Sequence, residues 1–325
     1  MTLAQEDTAL PDPAIEINRS NYALAFRLGE IYLFSYRTQV AELVSHFIEC
    51  PISLTNALSF NPSAHGATCT VARSVLPDEA IPELGRWDGR LVYRLSQYRR
   101  HFVDLLGVSY DEYLGNFSAK SRSTFQRKLR KFETRSGGTI DWATFRTPDD
   151  IDAFFEEALP LSEKTYQHRL MDSGLPSDTA YREEARALAA KNKFRGWILR
   201  HEKHAIAYTC SPAIGRTLLY EFVGFDAAHA DQSPGTVLQL LVLQQLMGER
   251  QFAFFDFTEG EGPHKELFGS GHRLCADVLI TPDTWKYRCI LGGHRWFRGM
   301  VRWSVALSAR LGIKAKLKRL IRGAA

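Results

Sequence analysis

Cysteine is scarce in this chain. Its five cysteines among 325 residues (Cys50, Cys69, Cys210, Cys275 and Cys289) are scattered and form no C-x-x-C pair. The odd count and the spacing argue against a disulfide framework and against a cysteine-built zinc site, and they suit a reducing compartment. No metal is expected. Long apolar runs are also missing, and none approaches the ~18 residues that a membrane-spanning helix requires. The opening stretch, MTLAQEDTALPDPAIE, is acidic and lacks the apolar centre of a signal peptide, so the expected location is the cytoplasm. Internal repeats and low-complexity tracts are not found. With 45% hydrophobic and 24% charged residues, the composition excludes disorder, collagen-like repeats and coiled coil, and it leaves a globular protein of one large or two moderate domains.

Acidic residues are missing altogether from one region. From Trp285 to Ala325 there are 11 Lys or Arg and no Asp or Glu. Of 41 cations and 37 acids in the chain, that leaves 30 cations against 37 acids in the body, so an acidic body carries a basic tail. The tail alternates cations with large apolar groups, as in His294-Arg-Trp-Phe-Arg-Gly-Met-Val-Arg-Trp303. No nucleic-acid reader motif accompanies the charge. A basic amphipathic helix with Trp and Leu on its apolar side suits the interface of an anionic membrane, which predicts peripheral attachment through residues 285–325. The competing expectation is a C-terminal helix packed on the body.

Along the chain, Tyr22–Phe26 and Glu30–Phe34 read as strands around a turn at Gly29, and Val40–Cys50 reads as a helix. Phe125, Leu129 and Phe132 recur at helical spacing within a basic segment that includes Arg122, Arg127, Lys128 and Lys131. This predicts an amphipathic helix whose basic face is either solvated or a cradle for an anionic ligand. Further helices are expected over Asp149–Leu159, running on through Ser162–Leu170, and over Asp178–Asn192. Arg195–Arg200 and Ala205–Cys210 suit an antiparallel hairpin, and Thr217–Phe225 follows as a strand. Ser233 reads as an N-cap and Pro234 as a first-turn residue of an almost wholly apolar helix, Thr236–Met247. Phe252–Phe257 then reads as a buried parallel strand. Strand, buried helix and strand make a βαβ unit, whose ligands sit at the C-terminal ends of the strands.

Two clusters lie at those ends. Ser233-Pro234-Gly235-Thr236 opens the apolar helix with N–H groups and the positive end of a dipole, a place for a pyrophosphate or simply a cap. Asp256, Glu259, His264 and Lys265 gather just beyond the buried strand, either as a reactive site or as a capped turn with an internal ion pair. On the strand Leu219–Val223, alternation places Glu221 on the same face as Leu219 and Val223. A carboxylate there is expected to have a raised pKa and to serve as a base, or else to pair with a buried cation. Glu163 and His168, with Tyr166 between them, are lesser candidates from the substrate side.

These features resemble the GNAT acyltransferases, in particular the branch associated with cellulose and exopolysaccharide biosynthesis, which is related to the Fem-type aminoacyl transferases. The matches are the basic Ser121–Lys131 helix, the acid-rich loop ending in Ser-Pro-Gly before an apolar helix, and the Phe-Asp-Phe…Gly…Lys segment. The last is similar to D-F-x-R-G-x-E-x-Y-K-x-x-W, with Asp256, Gly260 and Lys265 matching and Glu259, His264 and Phe268 departing from it. The resemblance covers about residues 100–283. It implies a mixed α/β fold of GNAT type, with a tandem or duplicated arrangement left open: an N-terminal α/β lobe over 1–117, a GNAT-like domain over 118–283 and a basic amphipathic segment over 284–325.

The resemblance further implies a coenzyme A thioester as co-substrate and direct attack by an amine in a ternary complex. Catalysis would fall to Glu221, His264, Asp256 and Lys265. The donor would be held by Phe222, Val223, Gly224, Ser233, Pro234, Gly235 and Thr236, and the acceptor by Glu163, Tyr166, His168, Arg122 and Glu259. The branch lacks the tight glycine-rich loop of other GNAT enzymes, as does this chain, so the Ser-Pro-Gly helix start would act alone. His264 in place of tyrosine adds a group able to act as a base near neutral pH. The expected acceptor is a long-chain amino-alcohol or a lipid-linked amino sugar at the inner face of the membrane. The alternatives are a Fem-type transferase using charged tRNA and a non-catalytic scaffold of a polysaccharide synthase.

Overall fold

The computed structural model describes residues 15–28, 31–45, 51–77, 80–164 and 174–310, which form two compact units. Of the described residues, those up to 98 and those from 274 onward form the first unit, and those from 99 to 273 form the second. These divisions differ from the expected ones at 117/118 and 283/284, because the chain returns to the first unit after residue 273. Each unit has mixed α/β architecture, as the sequence implied.

In the first unit, β1 (Ile15–Leu28) and β2 (Ile31–Ser45) form a long antiparallel hairpin, paired from Ile15↔Ser45 to Leu28↔Ile31. β2 runs parallel to β3 (Cys69–Val75). The short strand β4 (Leu84–Trp87) turns back on the start of β5 (Arg90–Asp104). The helix expected over 40–50 is therefore strand as far as Ser45. Its residues face two cores: Val40 packs with Cys69, Val71 and Tyr93, whereas Ala41 and Leu43 pack with Ala72, Val75 and Val92. A strand buried on both faces reads as a continuous apolar run, which periodicity alone cannot tell from a helix. Residues 46–50 lie outside the described set.

In the second unit the sheet order begins with the end of β5, then β11 (Phe254–Asp256), β9 (Thr217–Leu219), β8 (His204–Ile214), β7 (Phe194–His201) and β6 (Trp142–Phe145). All these pairs are antiparallel except β9 with β11. The β7–β8 hairpin matches the expected one, with Glu202 and Lys203 both in the left-handed region at its tip. Helix α1 (Leu54–Ser59) belongs to the first unit and α2 (Tyr110–Gly115) to the second. One face of the second sheet is covered by α3 (Ala119–Arg135) and α6 (Pro234–Glu249), whose Phe125, Phe132, Val237 and Leu243 pack with Trp197 and Leu199. The other face is covered by α4 (Ile151–Lys164) and α5 (Thr179–Ala190), whose Phe154, Phe155 and Ala185 pack with Ile198, Tyr208 and Cys210. Alternate residues of β7 thus enter opposite cores. Helix α6 is buried nearly all round, as its composition predicted. The six-residue α7 (Pro263–Phe268) follows β11, and β12 (Gly271–Pro282) leads back to the first unit.

The last helix, α8 (Trp285–Arg310), packs within the first unit through Tyr287, Leu291 and His294. His294 lies 2.7 Å from the Tyr93 hydroxyl through Nδ1 and 3.2 Å from the Ala25 carbonyl oxygen through Nε2. The basic segment is thus a packed helix on one side, while Trp285, Trp296 and Trp303 remain exposed on it. Residues 311–325 lie outside the described set.

Close packing in the second unit yields a test. A Cβ at Gly196 of β7 would stand 2.7 Å from Cδ2 of Phe154, inside van der Waals contact. Gly196→Ala should therefore lower the unfolding free energy by about 1–3 kcal/mol, as overpacking does, measured by denaturant titration of the full chain.

Candidate active site

The strand expected over 217–225 is interrupted. β9 ends at Leu219, Tyr220 and Glu221 lie outside regular pairing, and β10 (Phe222–Phe225) resumes beside β8. The register on β8 shifts by one residue, from Leu218↔Ala213 to Phe222↔Cys210. The parallel neighbour β11 follows β9 only as far as Leu219↔Asp256, and the Tyr220 N–H donates to the Asp256 carbonyl at 2.8 Å. Beyond that bond β10 continues along β8, while the chain after β11 keeps to β5, with the Phe257 N–H donating to the His101 carbonyl at 3.0 Å. Two parallel strands part company at Tyr220 and Asp256, leaving a wedge in the sheet at the C-terminal ends of the βαβ unit.

The interruption changes what each side chain faces. Tyr220, not Glu221, turns toward the core under α3 and α6, where its ring packs on Phe255 and Phe257. Glu221 is exposed, and its charge bears on Tyr181 and Cys210, on the face under α4 and α5. The expected placement of Glu221 on an apolar face does not occur. A one-residue slip reverses the facing of every side chain after it.

His264, on α7, lies parallel to the Tyr220 ring, with its Nε2 3.3 Å from the Tyr220 hydroxyl. Phe257 and Phe268 flank it. Burial, then the charges of Lys265 and Lys128, push its pKa down to about 4, so the ring is neutral at neutral pH. Burial alone holds the Tyr220 phenol above its ordinary value, so it keeps its proton. A neutral imidazole beside a protonated phenol is a pair able to accept one proton and give another.

Asp256 and Lys265 are placed differently. Asp256 is fully buried and accepts two bonds from Arg100 Nε (2.9 and 3.1 Å) and a contact of 2.7 Å from Nη2, so Arg100 and Asp256 form a bidentate ion pair. The same carboxylate accepts the Thr258 N–H at 2.8 Å. Thr258 sits in the left-handed region (φ 61°), costly for a β-branched residue. Asp256, expected among the catalytic residues, is thus committed to holding the backbone as it leaves β11. Lys265 donates to the carbonyl of Glu259, and burial lowers its pKa. Glu259 is exposed in that loop, and Gly260 follows with φ 83°.

The start of α6 also departs from expectation. Ser233 is left-handed (φ 55°, ψ 49°) and makes no side-chain cap; its carbonyl instead accepts the N–H groups of Thr236 and Val237 at 3.0 and 3.1 Å. Pro234 occupies the first turn as expected. The added feature is Lys128 of α3, whose half-buried ammonium donates to the Thr236 hydroxyl at 3.2 Å. Burial, and then Arg127, lowers its pKa. Among the described residues no carboxylate lies within ion-pair distance of Lys128. A half-buried cation aimed at the positive end of a buried helix is a pairing that an anion, such as a diphosphate, relieves. Phe222, Val223 and Gly224 form the β10 side of the wedge, and Phe225 stands 3.8 Å from where a Gly235 Cβ would be.

The expected acceptor residues are not gathered in one place. Arg122 donates to the carbonyls of Gly115 and Phe117 at 3.2 and 2.6 Å, bracing the approach to α3. Glu163 is exposed near the end of α4. Tyr166 and His168 lie outside the described residues. Tyr220, Lys128 and Arg100 were not singled out as site residues. A polar residue beside Glu221 was the visible sign of the first, and the basic helix was that of the second.

Residues 119–266 match the family model described as "Acetyltransferase (GNAT) domain". The match spans just under half of the chain and supports a GNAT-type acyltransferase domain there. It runs from the start of α3 to α7 and so contains both strands of the wedge, Lys128, Tyr220 and His264. A search of curated proteins gives no match. Among solved structures, the chain is similar to a domain described as the C-terminal part of a lysylphosphatidylglycerol synthetase from Agrobacterium fabrum, at 12% identity over 81% of this chain and 84% of that one, with a TM-score of 0.50. It is also similar to FemX (12% identity, 84% and 90% coverage, TM-score 0.48) and to a GCN5-related N-acetyltransferase from Kribbella flavida (14%, 76% and 82%, TM-score 0.37). At 12% identity the first of these likenesses speaks to fold alone.

Two outcomes follow for the GNAT domain. Asp256→Ala leaves Arg100 buried without its partner and should cost about 3–5 kcal/mol of stability, whereas replacing both by apolar residues of similar size should recover most of the loss; denaturant titration of the three variants checks this. In an NMR titration His264 should gain its proton near pH 4 rather than near its ordinary 6.5. The unfolded chain binds that proton first, so the His264 contribution to stability falls as pH drops from about 6.5 toward 4.

Proposed function

We propose that this GNAT domain transfers an acyl group from a coenzyme A thioester to the amine of an amphiphilic acceptor, a long-chain amino-alcohol or a lipid-linked amino sugar, by direct attack in a ternary complex at the inner face of the membrane. The observation that carries the proposal is the wedge between β10 and β11, with Lys128 and Thr236 on one side of its mouth and the Tyr220–His264 pair at its base. The thioester supplies an activated carbonyl and a thiolate leaving group.

The chain's own residues divide the remaining work. Lys128, the Thr236 hydroxyl and the backbone at Gly235 bind the diphosphate of the donor. Tyr220 keeps a proton that a departing thiolate can take, and neutral His264 accepts one in exchange. Lys265 holds the Thr258–Gly260 loop in place. Glu221 and Glu163 serve the acceptor from the α4 and α5 face, where a carboxylate favours an approaching ammonium and takes its proton. Buried Asp256 acts through position only.

The test is thiol release from acyl-CoA with a long-chain amino-alcohol. Lys128→Ala should weaken acyl-CoA binding about 10–100-fold, the worth of a charge-assisted hydrogen bond, as should Gly235→Leu, with kcat less affected. Glu221→Gln and His264→Ala should lower kcat more than they raise KM. Transfer from aminoacyl-tRNA without thiol release from any acyl-CoA would overturn the reading.

A further inference from the structure

The first unit leaves an unusual amount of apolar surface uncovered, in two places that touch. At the far end of the β1–β2 hairpin, Leu28, Ile31, Tyr32, Leu33 and Phe34 are each 42–55% exposed. A bulge separates the pairs Phe26↔Phe34 and Arg27↔Tyr32, so Leu28, Ile31 and Phe34 share the face of Phe26, while Tyr32 shares the opposite face with Arg27. Both faces of the hairpin end thus carry exposed apolar side chains. On α8 the most exposed large apolar side chains among the described residues are Trp285 (78%), Trp296 (70%) and Trp303 (67%). Their spacings of eleven and seven residues put them on one stripe, about 27 Å long at 1.5 Å per residue, together with Met300 and Leu307.

The two surfaces are joined. Phe26 of β1 stacks on Phe34 at 4.2 Å between centroids and meets Phe297 of α8 at 5.4 Å, and His294 anchors α8 to the Ala25 carbonyl. The helix also carries a short recurrence, G-x-x-R-W, once as Gly292–Trp296 and again as Gly299–Trp303. It sets an arginine beside each tryptophan around a groove of about 690 Å³, lined by Arg295, Arg302, both tryptophans and Glu83. Glu83 is the carboxylate that Arg295, Arg298 and Arg302 approach, at 3.9, 3.8 and 3.1 Å. Three guanidiniums against one carboxylate leave the groove positive, and Arg295 and Arg302 stay more than half exposed. No Asp or Glu occurs from Trp285 onward.

We infer that the hairpin end and the tryptophan stripe together form a docking surface for an anionic phospholipid bilayer, with the arginine–tryptophan groove receiving lipid phosphates. A protein partner covering one face of the hairpin would leave the other in water. A medium that surrounds the hairpin end buries both faces, and tryptophan with arginine suits the level of the headgroups. No described helix is long and apolar enough to cross a bilayer, so α8 lies along the surface. The inference rests on the membrane-associated acceptor proposed above, but it concerns different residues.

Cosedimentation of the full chain with vesicles of phosphatidylglycerol and phosphatidylcholine tests it, against vesicles of phosphatidylcholine alone. The full chain should bind the anionic vesicles, more weakly at high salt, with a blue shift of tryptophan emission and quenching by brominated lipid. Ile31→Ser with Leu33→Ser, and separately Trp296→Ser with Trp303→Ser, should each weaken binding about tenfold or more. These side chains are exposed, so thermal melting should be unchanged; thiol release with a short soluble amine should also persist. A chain ending at Arg310 should still bind. Unaltered binding by both double variants, with loss on truncation at Arg310, would overturn the inference while leaving a membrane-bound acceptor in place. Vesicle binding by the hairpin without transfer to any lipid amine would instead sink the acceptor proposal and leave the inference standing. Dimerisation abolished by the same substitutions, with no vesicle binding, would assign the surface to a second copy of the chain and overturn the inference.

Discussion

The wedge between β10 and β11 depends on one buried contact, the bidentate pair of Arg100 and Asp256. Neither group reaches water, so the pair must be complete to be tolerated at all; its geometry is rigid because both carboxylate oxygens and two guanidinium nitrogens are used. It ties the end of β5 to the end of β11 and, through the Thr258 N–H, fixes the direction in which the chain leaves the sheet. The Thr258–Gly260 loop, then Lys265 and His264, follow from that direction. A charge that looked catalytic because of its position is the reason the neighbouring groups can be.

Around this fixed point the electrostatics are arranged by exclusion of water. His264 stays neutral because it is buried near two ammonium groups, and those ammonium groups lose basicity because they are buried as well. Lys265 feels the carboxylates of Asp256 and Glu259, whereas among the described residues no carboxylate lies within ion-pair distance of Lys128. The tyrosine beside His264 is held protonated by the same burial.

Much of the second unit could be read from the sequence, because its signals are strong and local. The apolar helix, the β7–β8 hairpin and the βαβ unit all follow from periodicity and turn chemistry. The double-sided β2 could not be told from a helix, since neighbours from far along the chain cover both of its faces. Glu221 was misplaced for a different reason. Alternation assumes an unbroken strand, and the interruption at Tyr220 is set by what β8 and β11 each demand of it, which no short window contains. Lys128 was visible as one cation among several on a basic helix; only tertiary packing singles it out by turning it to Thr236. Arg122, equally basic, spends its hydrogen bonds on two carbonyls instead.

The parallel pairing of β9 with β11 has a consequence for how the protein comes to be active. Parallel neighbours cannot be closed by a tight turn, and here residues 220–253, including all of α6, lie between them. Three paired positions are too few to hold such a loop closed by themselves, so the junction forms only when α6 is already seated in its core. The cleft is therefore no detachable lid or surface loop. It should appear late in folding and vanish with the cooperative loss of the whole unit, so that a partly folded chain has no partly working site.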